Sequence, residues 1–478
     1  MNCEQILKTL HATGQASVLR FIGQIDEAAR NRLFGQLDAL DLASLPQLIQ
    51  TYVTGKYAAP LPKDIQPITP LPYKPGTAPQ KTHYEKAHAR GRQLLRDGKV
   101  GAFLVAGGQG TRLGYDGPKG EFPVTPIKNK PLFQVFAEQL LAHSHDAGTT
   151  VPWYIMTSDA NDAATRAFFK KHNFFGYDPS AVFFFQQGMM PAFSMDGKLL
   201  LGAKDSLALS PDGHGGSLRA IKRSGALADM QRRGVEHLSY FQVDNPIVHC
   251  IDPLFIGLHD LANSEMSSKT IGKAGPLEKV GNFCVADGKL QVIEYSDLPD
   301  ELATQTNPDG SLRFNAGSIA IHALRVSFID RLNAGGQLQL PWHRAEKKVP
   351  FIDPAGDLVK PATANAVKLE QFVFDAILLA ENPIVYTTQR DEEFSPVKNA
   401  EGTDSPATSK RDQVRRFARW LSEAGLPIPT RDGQPDATIE ISPLYAVSEA
   451  HLKQRNPAVT NILAGAKLYF GRDGIDNG

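Results

Sequence analysis

The 478-residue chain is short of cysteine, of net charge and of long apolar runs, and each shortage removes a class of function. Cys3, Cys250 and Cys284 lie far apart and give neither a disulfide framework nor the close spacing of a zinc site. Lys plus Arg equals Asp plus Glu at 51 each, so no bulk field draws the chain to nucleic acid or to an anionic membrane. Anions must therefore be held by local groups. No run of ~18 apolar residues exists to span a bilayer. The start, Met1-Asn2-Cys3-Glu4-Gln5, lacks the basic region and apolar core of a signal peptide. The expectation is a cytoplasmic protein, monomeric or weakly homo-oligomeric, with no nucleic-acid or membrane partner. An apolar fraction of 42% is that of a globular chain, and the length allows about three domains.

Two familiar phosphate loops are also missing. No Gly-x-x-x-x-Gly-Lys-Ser/Thr string occurs, and Gly108, Gly110 and Gly114 are spaced Gly-x-Gly-x-x-x-Gly, not as the dinucleotide fingerprint requires. That spacing disfavours a nicotinamide oxidoreductase. What is present is the run Leu104-Val105-Ala106-Gly107-Gly108-Gln109-Gly110-Thr111-Arg112-Leu113-Gly114, closed by Pro118-Lys119-Gly120. Val100–Ala106 is apolar and branched enough to be a buried parallel strand. The glycines after it let the backbone turn sharply and offer bare N–H groups to an anion. Arg112 and Lys119 add two cations, which suits a polyphosphate.

Residues before about 58 carry helical spacing, and Pro60–Pro79 holds seven prolines in twenty residues, an extended crossing segment. With a last helix over Tyr84–Leu95, residues 1–98 read as a helical N-terminal region. From Val100 strands and helices alternate: strand Val100–Ala106, helix Pro131–His145, strand Trp153–Thr157, helix Asp162–Lys171, strand Val182–Phe185, helix Ser217–Arg233 and strand His237–Val243, which ends at Asp244. Such repetition predicts an α/β domain over 99–394 with a mostly parallel sheet covered on both faces. A hairpin is expected over Asn282–Tyr295 with its turn at Asp287-Gly288, then helix Val367–Ala380 and strand Ile384–Thr387. Ser405-Pro406 opens an amphipathic helix ending at Gly425, and strand Ala437–Ser442 follows; 395–478 reads as a small C-terminal α+β domain. Ligands of parallel sheets bind at the carboxyl ends of the strands, where both the glycine loop and Asp244 fall.

Further motifs follow in order: Gln186-Gln187-Gly188-Met189-Met190-Pro191-Ala192, Pro211-Asp212-Gly213-His214-Gly215-Gly216, Val243-Asp244-Asn245, Val292-Ile293-Glu294-Tyr295-Ser296, Phe314-Asn315-Ala316-Gly317 and Phe394-Ser395-Pro396-Val397-Lys398-Asn399. With the glycine loop, this series resembles the eukaryotic-type UDP-N-acetylhexosamine pyrophosphorylases, within the wider UDP-sugar pyrophosphorylase family. The resemblance covers about residues 85–445. It implies a doubly wound, Rossmann-like nucleotide-diphospho-sugar transferase domain. It also implies a reaction in which UTP and a sugar 1-phosphate give a UDP-sugar and pyrophosphate, with Mg²⁺ or Mn²⁺ as cofactor.

The same resemblance implies roles for individual residues. Ala106, Gly107 and Gly108 would meet the nucleotide, and Arg112 and Lys119 would neutralise the triphosphate as charge moves to pyrophosphate. Asp244 would hold the metal against phosphate oxygens, since Mg²⁺ takes one or two carboxylates plus substrate phosphates. Gln187 and Gly213 would read the uracil edge and ribose; an amide offers both donor and acceptor to a pyrimidine. Glu294, Tyr295 and Asn315 would bond sugar hydroxyls. Lys368 and Lys398 would reach phosphate from the later part of the chain, Lys398 from a loop able to act as a lid.

One position departs from the pattern. The acetylhexosamine enzymes usually carry Asp-Gly-Asn-Gly-Gly, whereas this chain has His214 in place of the Asn, as the UDP-glucose and broad-specificity enzymes do. The flanking motifs favour GlcNAc-1-phosphate; the histidine favours glucose-1-phosphate. A silent nucleotide-sugar sensor on the same fold is the alternative of another class.

Overall fold

Val100–Val105 forms a strand with its first five residues buried, as a branched apolar run between two sheet neighbours should. The computed structural model describes residues 3–55, 62–336, 338–457 and 461–477. The first residues of the proline-rich segment, Pro60 and Leu61, lie outside them. The chain divides into two units: 62–186, 220–337 and 377–478 in the larger, and 1–61, 187–219 and 338–376 in the smaller.

The larger unit is built on a ten-stranded sheet. Its parallel part runs His237–Gln242, Val100–Val105, Trp153–Thr157, Val182–Gln186. Beyond His237–Gln242 the sheet continues antiparallel through Ala316–Arg325 and the hairpin Asn282–Ala286/Lys289–Ile293. Met266–Gly272 joins Ala316–Arg325 antiparallel and Ile384–Thr387 parallel. Gln242 pairs with Val105, so the chain leaves both strands on one rim, toward Asp244 on one side and Gly107 on the other. Helix Leu132–Ala147 covers this sheet, where Phe136 meets Phe241 at 5.5 Å, and packs on helix Asp162–Lys171, where Phe133 meets Phe169 at 5.0 Å between ring centroids. Burying each such ring stabilises the fold by about 1.5–3 kcal/mol.

The proline-rich segment delivers the chain to helix Ala78–Arg96, started by a Thr77/Gln80 capping box. That helix packs on Pro253–Leu261 at very close range. A Cβ on Gly91 would lie 1.8 Å from the Pro253 carbonyl oxygen, and one on Gly257 would lie 1.7 Å from that of Ala87. This packing puts residues 78–96 in the larger unit, although the sequence division at 98 groups them with the N-terminal helices. At the other end, helix Pro406–Glu423 and the sheet Ala437–Ile441, Ala466–Gly471, Gly474–Asn477 enclose their own apolar cluster around Trp420, Ile439 and Phe470. Glu440 ties it to the rest of the larger unit by accepting the N–H groups of Ile127 and Lys128 at 2.7 and 2.8 Å.

The smaller unit combines helices Cys3–Ala12 and Glu27–Ala39 with the sheet His343–Lys347, Ala366–Glu370, Phe193–Ser194. Ile6, Leu10, Leu33 and Leu37 pack with Phe193, Val367 and Leu369.

Two expected helices are corrected. Val367–Ala380 is instead strand Ala366–Glu370 followed by a 3-10 turn at Val373–Leu379; Val367 and Leu369 are both buried with Lys368 between them half-buried, the period of a strand. Ser217–Arg233 is two helices, Ser217–Arg223 and Ala226–Arg233, divided at Gly225 with φ +83°. Among the described residues no helix is long and apolar enough to cross a membrane.

Candidate functional site

After Val105 the chain makes a folded loop, not an open one. Lys119 donates its N–H to Gly108 at 3.1 Å and Gly110 donates to Gly117 at 2.8 Å, a two-bond ladder that brings the Pro118-Lys119-Gly120 segment back beside the glycines. Gly120 sits against Phe133, where a Cβ would be 2.1 Å from the ring. Short 3-10 turns at Thr111–Leu113 and Lys119–Glu121 then place Arg112 and Lys119 on the rim. Arg112 is exposed, and around Gly108 nothing lies within 4 Å of the missing side chain. An anion therefore has room at the glycines and cations beside it.

Lys119 reports what surrounds it. Burial pulls its ammonium below the usual lysine range, Asp244 works in the opposite direction, and the charges of Arg112 and Lys398 depress it further. Three charged side chains from separate parts of the sequence, two cations and one carboxylate, are thus near enough for their fields to act on Lys119. Such a set neutralises a polyanion and holds a divalent ion against it. Among the described residues no group of three or more His, Cys, Asp or Glu is placed to hold a metal. The donor set fits Mg²⁺ all the same, because that ion is bound by one or two carboxylates and takes the rest of its shell from substrate phosphates and water.

Lys398 is brought there by a stapled segment. Val397 donates to the Asp244 carbonyl at 2.7 Å. The buried carboxamide of Asn245 donates to the Glu393 carbonyl at 2.7 Å and accepts from the Ser395 N–H at 3.2 Å. Helix Pro406–Glu423 adds Ser409, whose hydroxyl donates to the Ser395 carbonyl at 3.0 Å, and Asp412, which accepts from the Ser395 hydroxyl at 2.9 Å. Beneath it, Lys269 is fully buried with its ammonium 2.7 Å from Asp252 and 2.6 Å from Glu393. These residues were not read as functional from the sequence. Asn245 stood next to Asp244 in the motif and could have been; a buried Lys269 in a strand carries no sequence signal.

The residues expected to meet a sugar are less closely grouped. The hairpin forms where it was read, with Asp287 and Gly288 at φ 49° and 76° as a tight primed turn requires. Glu294 follows its second strand half-buried, and Tyr295 is 48% exposed. Asn315 accepts the N–H of Lys273 at 2.7 Å, which leaves its NH₂ to donate. It lines a cavity of about 300 Å³ with Thr270, Arg313 and Phe314, to which Glu294 and Tyr295 do not contribute.

In the smaller unit, Gln187 is half-buried and precedes Gly188, which lies against Asp212. Gly213 takes φ +85° and presses on the Gln371 main chain, while Gly215 donates to the Gln371 carbonyl at 2.7 Å. His214 is fixed by this packing. Its Nδ1 accepts the Val373 N–H at 3.1 Å and its ring stacks on Phe372 at 5.2 Å. Burial, helped by the nearby His343, lowers its pKa to about 4, so the ring is neutral with its proton on Nε2. One N–H is what His214 has left to offer a ligand. Lys368 lies on the strand Ala366–Glu370, paired with Ala345.

Comparisons with known proteins place the chain in a family. Residues 61–404 match the model of a family described as UTP–glucose-1-phosphate uridylyltransferase. The chain is 38% identical over 470 residues to the mouse UDP-N-acetylhexosamine pyrophosphorylase-like protein 1, covering 92% of each. It is 36% identical over 403 residues to the UDP-N-acetylglucosamine pyrophosphorylase of Saccharomyces cerevisiae, covering 82% of this chain and 83% of the other. The solved structure of the Trypanosoma brucei uridine diphosphate N-acetylglucosamine pyrophosphorylase superposes with a TM-score of 0.79 at 26% identity, covering 94% of both chains.

Proposed function

The chain belongs to the UTP–glucose-1-phosphate uridylyltransferase family, and we propose on that premise that it makes UDP-GlcNAc and pyrophosphate from UTP and GlcNAc-1-phosphate. It is a uridylyltransferase of the UDP-sugar pyrophosphorylase kind. The observation that supports the site is geometric: the glycine loop and Asp244 leave paired strands at one rim, and the Val397 N–H on the Asp244 carbonyl brings the segment of Lys398 there.

In the reaction a phosphate oxygen of the sugar 1-phosphate attacks the α-phosphorus of UTP, the bond from that phosphorus to the bridging oxygen breaks, and pyrophosphate leaves with the electron pair. Transfer of this sort is a matter of positioning and charge neutralisation. The N–H groups of the glycine loop hold the triphosphate, and Arg112 and Lys119 take up the charge that gathers on the leaving pyrophosphate. Lys398 faces the phosphate groups from its stapled segment. Asp244 would hold Mg²⁺ or Mn²⁺, which supplies further neutralisation of phosphate oxygens when bound. Gln187 and Gly213 serve the uracil and ribose, Lys368 a phosphate, and Glu294, Tyr295 and Asn315 the sugar hydroxyls. The three free thiols suit a reducing, cytosolic setting.

The acetylated sugar is chosen on the curated relatives, which carry it in their names at 36–38% identity. His214 favours a second reading, with glucose-1-phosphate as the substrate. Its Nδ1 is already taken by Val373, so it cannot offer the donor-and-acceptor pair of a carboxamide. The test is kcat/KM for UTP with GlcNAc-1-phosphate, GalNAc-1-phosphate and glucose-1-phosphate in parallel. A clear preference for GlcNAc-1-phosphate supports the proposal; a preference for glucose-1-phosphate overturns it in favour of the second reading.

A further inference from the structure

The loop that receives the triphosphate in the reading above is shaped by a residue that does not belong to it. Asn161 stands at the N-cap position of helix Asp162–Lys171, where an Asn ordinarily bonds the first free N–H groups of the helix. Here its side chain makes no such bond. It is 1% exposed and reaches instead to the loop, with Nδ2 donating to the carbonyl of Ala106 at 2.9 Å and to that of Gly108 at 3.3 Å. Its Oδ1 accepts the Ser158 N–H at 2.8 Å, and the Ser158 hydroxyl donates to the Gly107 carbonyl at 2.9 Å. Three consecutive carbonyls, those of residues 106, 107 and 108, are thus each bonded by one short turn, that of Gly108 also accepting the Lys119 N–H at 3.1 Å.

The consequence follows from the planarity of the peptide unit. A carbonyl and the N–H of the next residue point in opposite directions, so fixing the carbonyls of Ala106, Gly107 and Gly108 fixes the N–H groups of Gly107, Gly108 and Gln109. Those three N–H groups find no acceptor among the described residues. The space beside Gly108 is open. The side that the carbonyls leave is therefore a row of donors, and an anion meets no opposing oxygen there.

We infer that Asn161, with Ser158, is the positioning residue that turns the glycine loop into a polyphosphate receptor by holding its carbonyls away from the ligand. It does not touch the nucleotide; it acts through the loop backbone. The inference rests on the reading of the loop as the triphosphate site.

The test compares wild type with Asn161→Asp, which keeps the size and the acceptor for Ser158 but sets a carboxylate oxygen against two carbonyls. Ser158→Ala, which frees the Gly107 carbonyl alone, is the milder second variant should Asn161→Asp fold poorly. Calorimetry reads the affinity of each for UTP and for uridine. The expected result is UTP affinity lower by about 10- to 100-fold in Asn161→Asp, by less in Ser158→Ala, and uridine affinity unchanged in both. Equal losses for UTP and uridine would make Asn161 a merely structural residue and overturn the inference, as would unchanged UTP affinity in both variants. A wild type that binds no UTP overturns the functional reading itself, and this inference with it.

Discussion

Val397 donates its N–H to the main-chain carbonyl of Asp244 at 2.7 Å, so the segment that ends in Lys398 is fastened to the residue whose charge opposes the effect of burial on Lys119. Scaffold and charge are separate functions of one residue: the main chain of Asp244 holds the loop and the side chain is left for chemistry.

That separation makes Asp244→Asn a clean experiment. The backbone bond to Val397 survives and the charge is lost, so the fold stays while a divalent ion held there as proposed would lose its carboxylate. Pyrophosphate release should fall by about 100- to 1000-fold, with the Mg²⁺ concentration needed for half-maximal rate raised and the thermal midpoint within a few degrees of wild type. Activity within threefold of wild type would remove Asp244 from the site.

On its proposed role at the triphosphate, Lys119 would set a pH limit on nucleotide use. Burial, opposed by Asp244 and reinforced by Arg112 and Lys398, depresses its pKa, so its charge is lost at a lower pH than that of an ordinary lysine. In the free protein the unfolded chain holds this proton more tightly, so this group adds stability as pH rises through its folded pKa. Binding runs the other way: KM for UTP should climb on the alkaline side as the ammonium deprotonates. Lys119→Arg, whose guanidinium stays charged, should flatten that limb of the profile even where kcat suffers.

Lys269 and Glu393 are 1% and 2% exposed and bonded at 2.6 Å, with Asp252 on the other side of the ammonium at 2.7 Å. Lys269→Met leaves two carboxylates buried without a cation and should cost about 3–5 kcal/mol in urea unfolding. Because the Glu393 carbonyl is also the anchor of Asn245, kcat should drop with stability. Asp252, held near pKa 2 against burial by Lys269 and His249, contributes stability above its unfolded pKa that is lost as pH falls toward 2. Lys269→Met should abolish that contribution.

His214 has its folded pKa near 4, below the ordinary 6.5. The unfolded chain takes up the proton first, so this group's contribution is present above pH 6.5 and is lost as pH falls through about 4. The unfolding midpoint measured across that range should fall less steeply in His214→Asn than in wild type. The same variant lacks the ring that stacks on Phe372, and its activity ratio between GlcNAc-1-phosphate and glucose-1-phosphate should move toward the acetylated sugar.

The alternating core was legible because each strand was a short branched run ended by a turn signal. Trp153–Thr157, Asp162–Lys171 and Ile384–Thr387 stand with the boundaries read from the sequence. Val367–Ala380 was not legible as a strand: its apolar residues fit a helical stripe as well as a pleat, and the alternation that decides between them lasts only five residues. Arg112, Lys119, Asp244 and Lys398 are singled out by the resemblance of their motifs to a family, since a lone Asp after a strand is by itself often only a turn or helix cap. The network behind them could not be read. Asn161 looks like a helix cap and Lys269 like any strand residue, and their roles come from partners distant in the chain: Gly108 for one, Glu393 for the other.

Phosphorus NMR of wild-type protein mixed with UTP, GlcNAc-1-phosphate and Mg²⁺ tests the central claim most directly. The predicted result is pyrophosphate and a UDP-sugar appearing in equal amounts as both substrates vanish. UTP that binds but persists unchanged beside the sugar phosphate would contradict the account and leave a nucleotide-sugar sensor on the same fold.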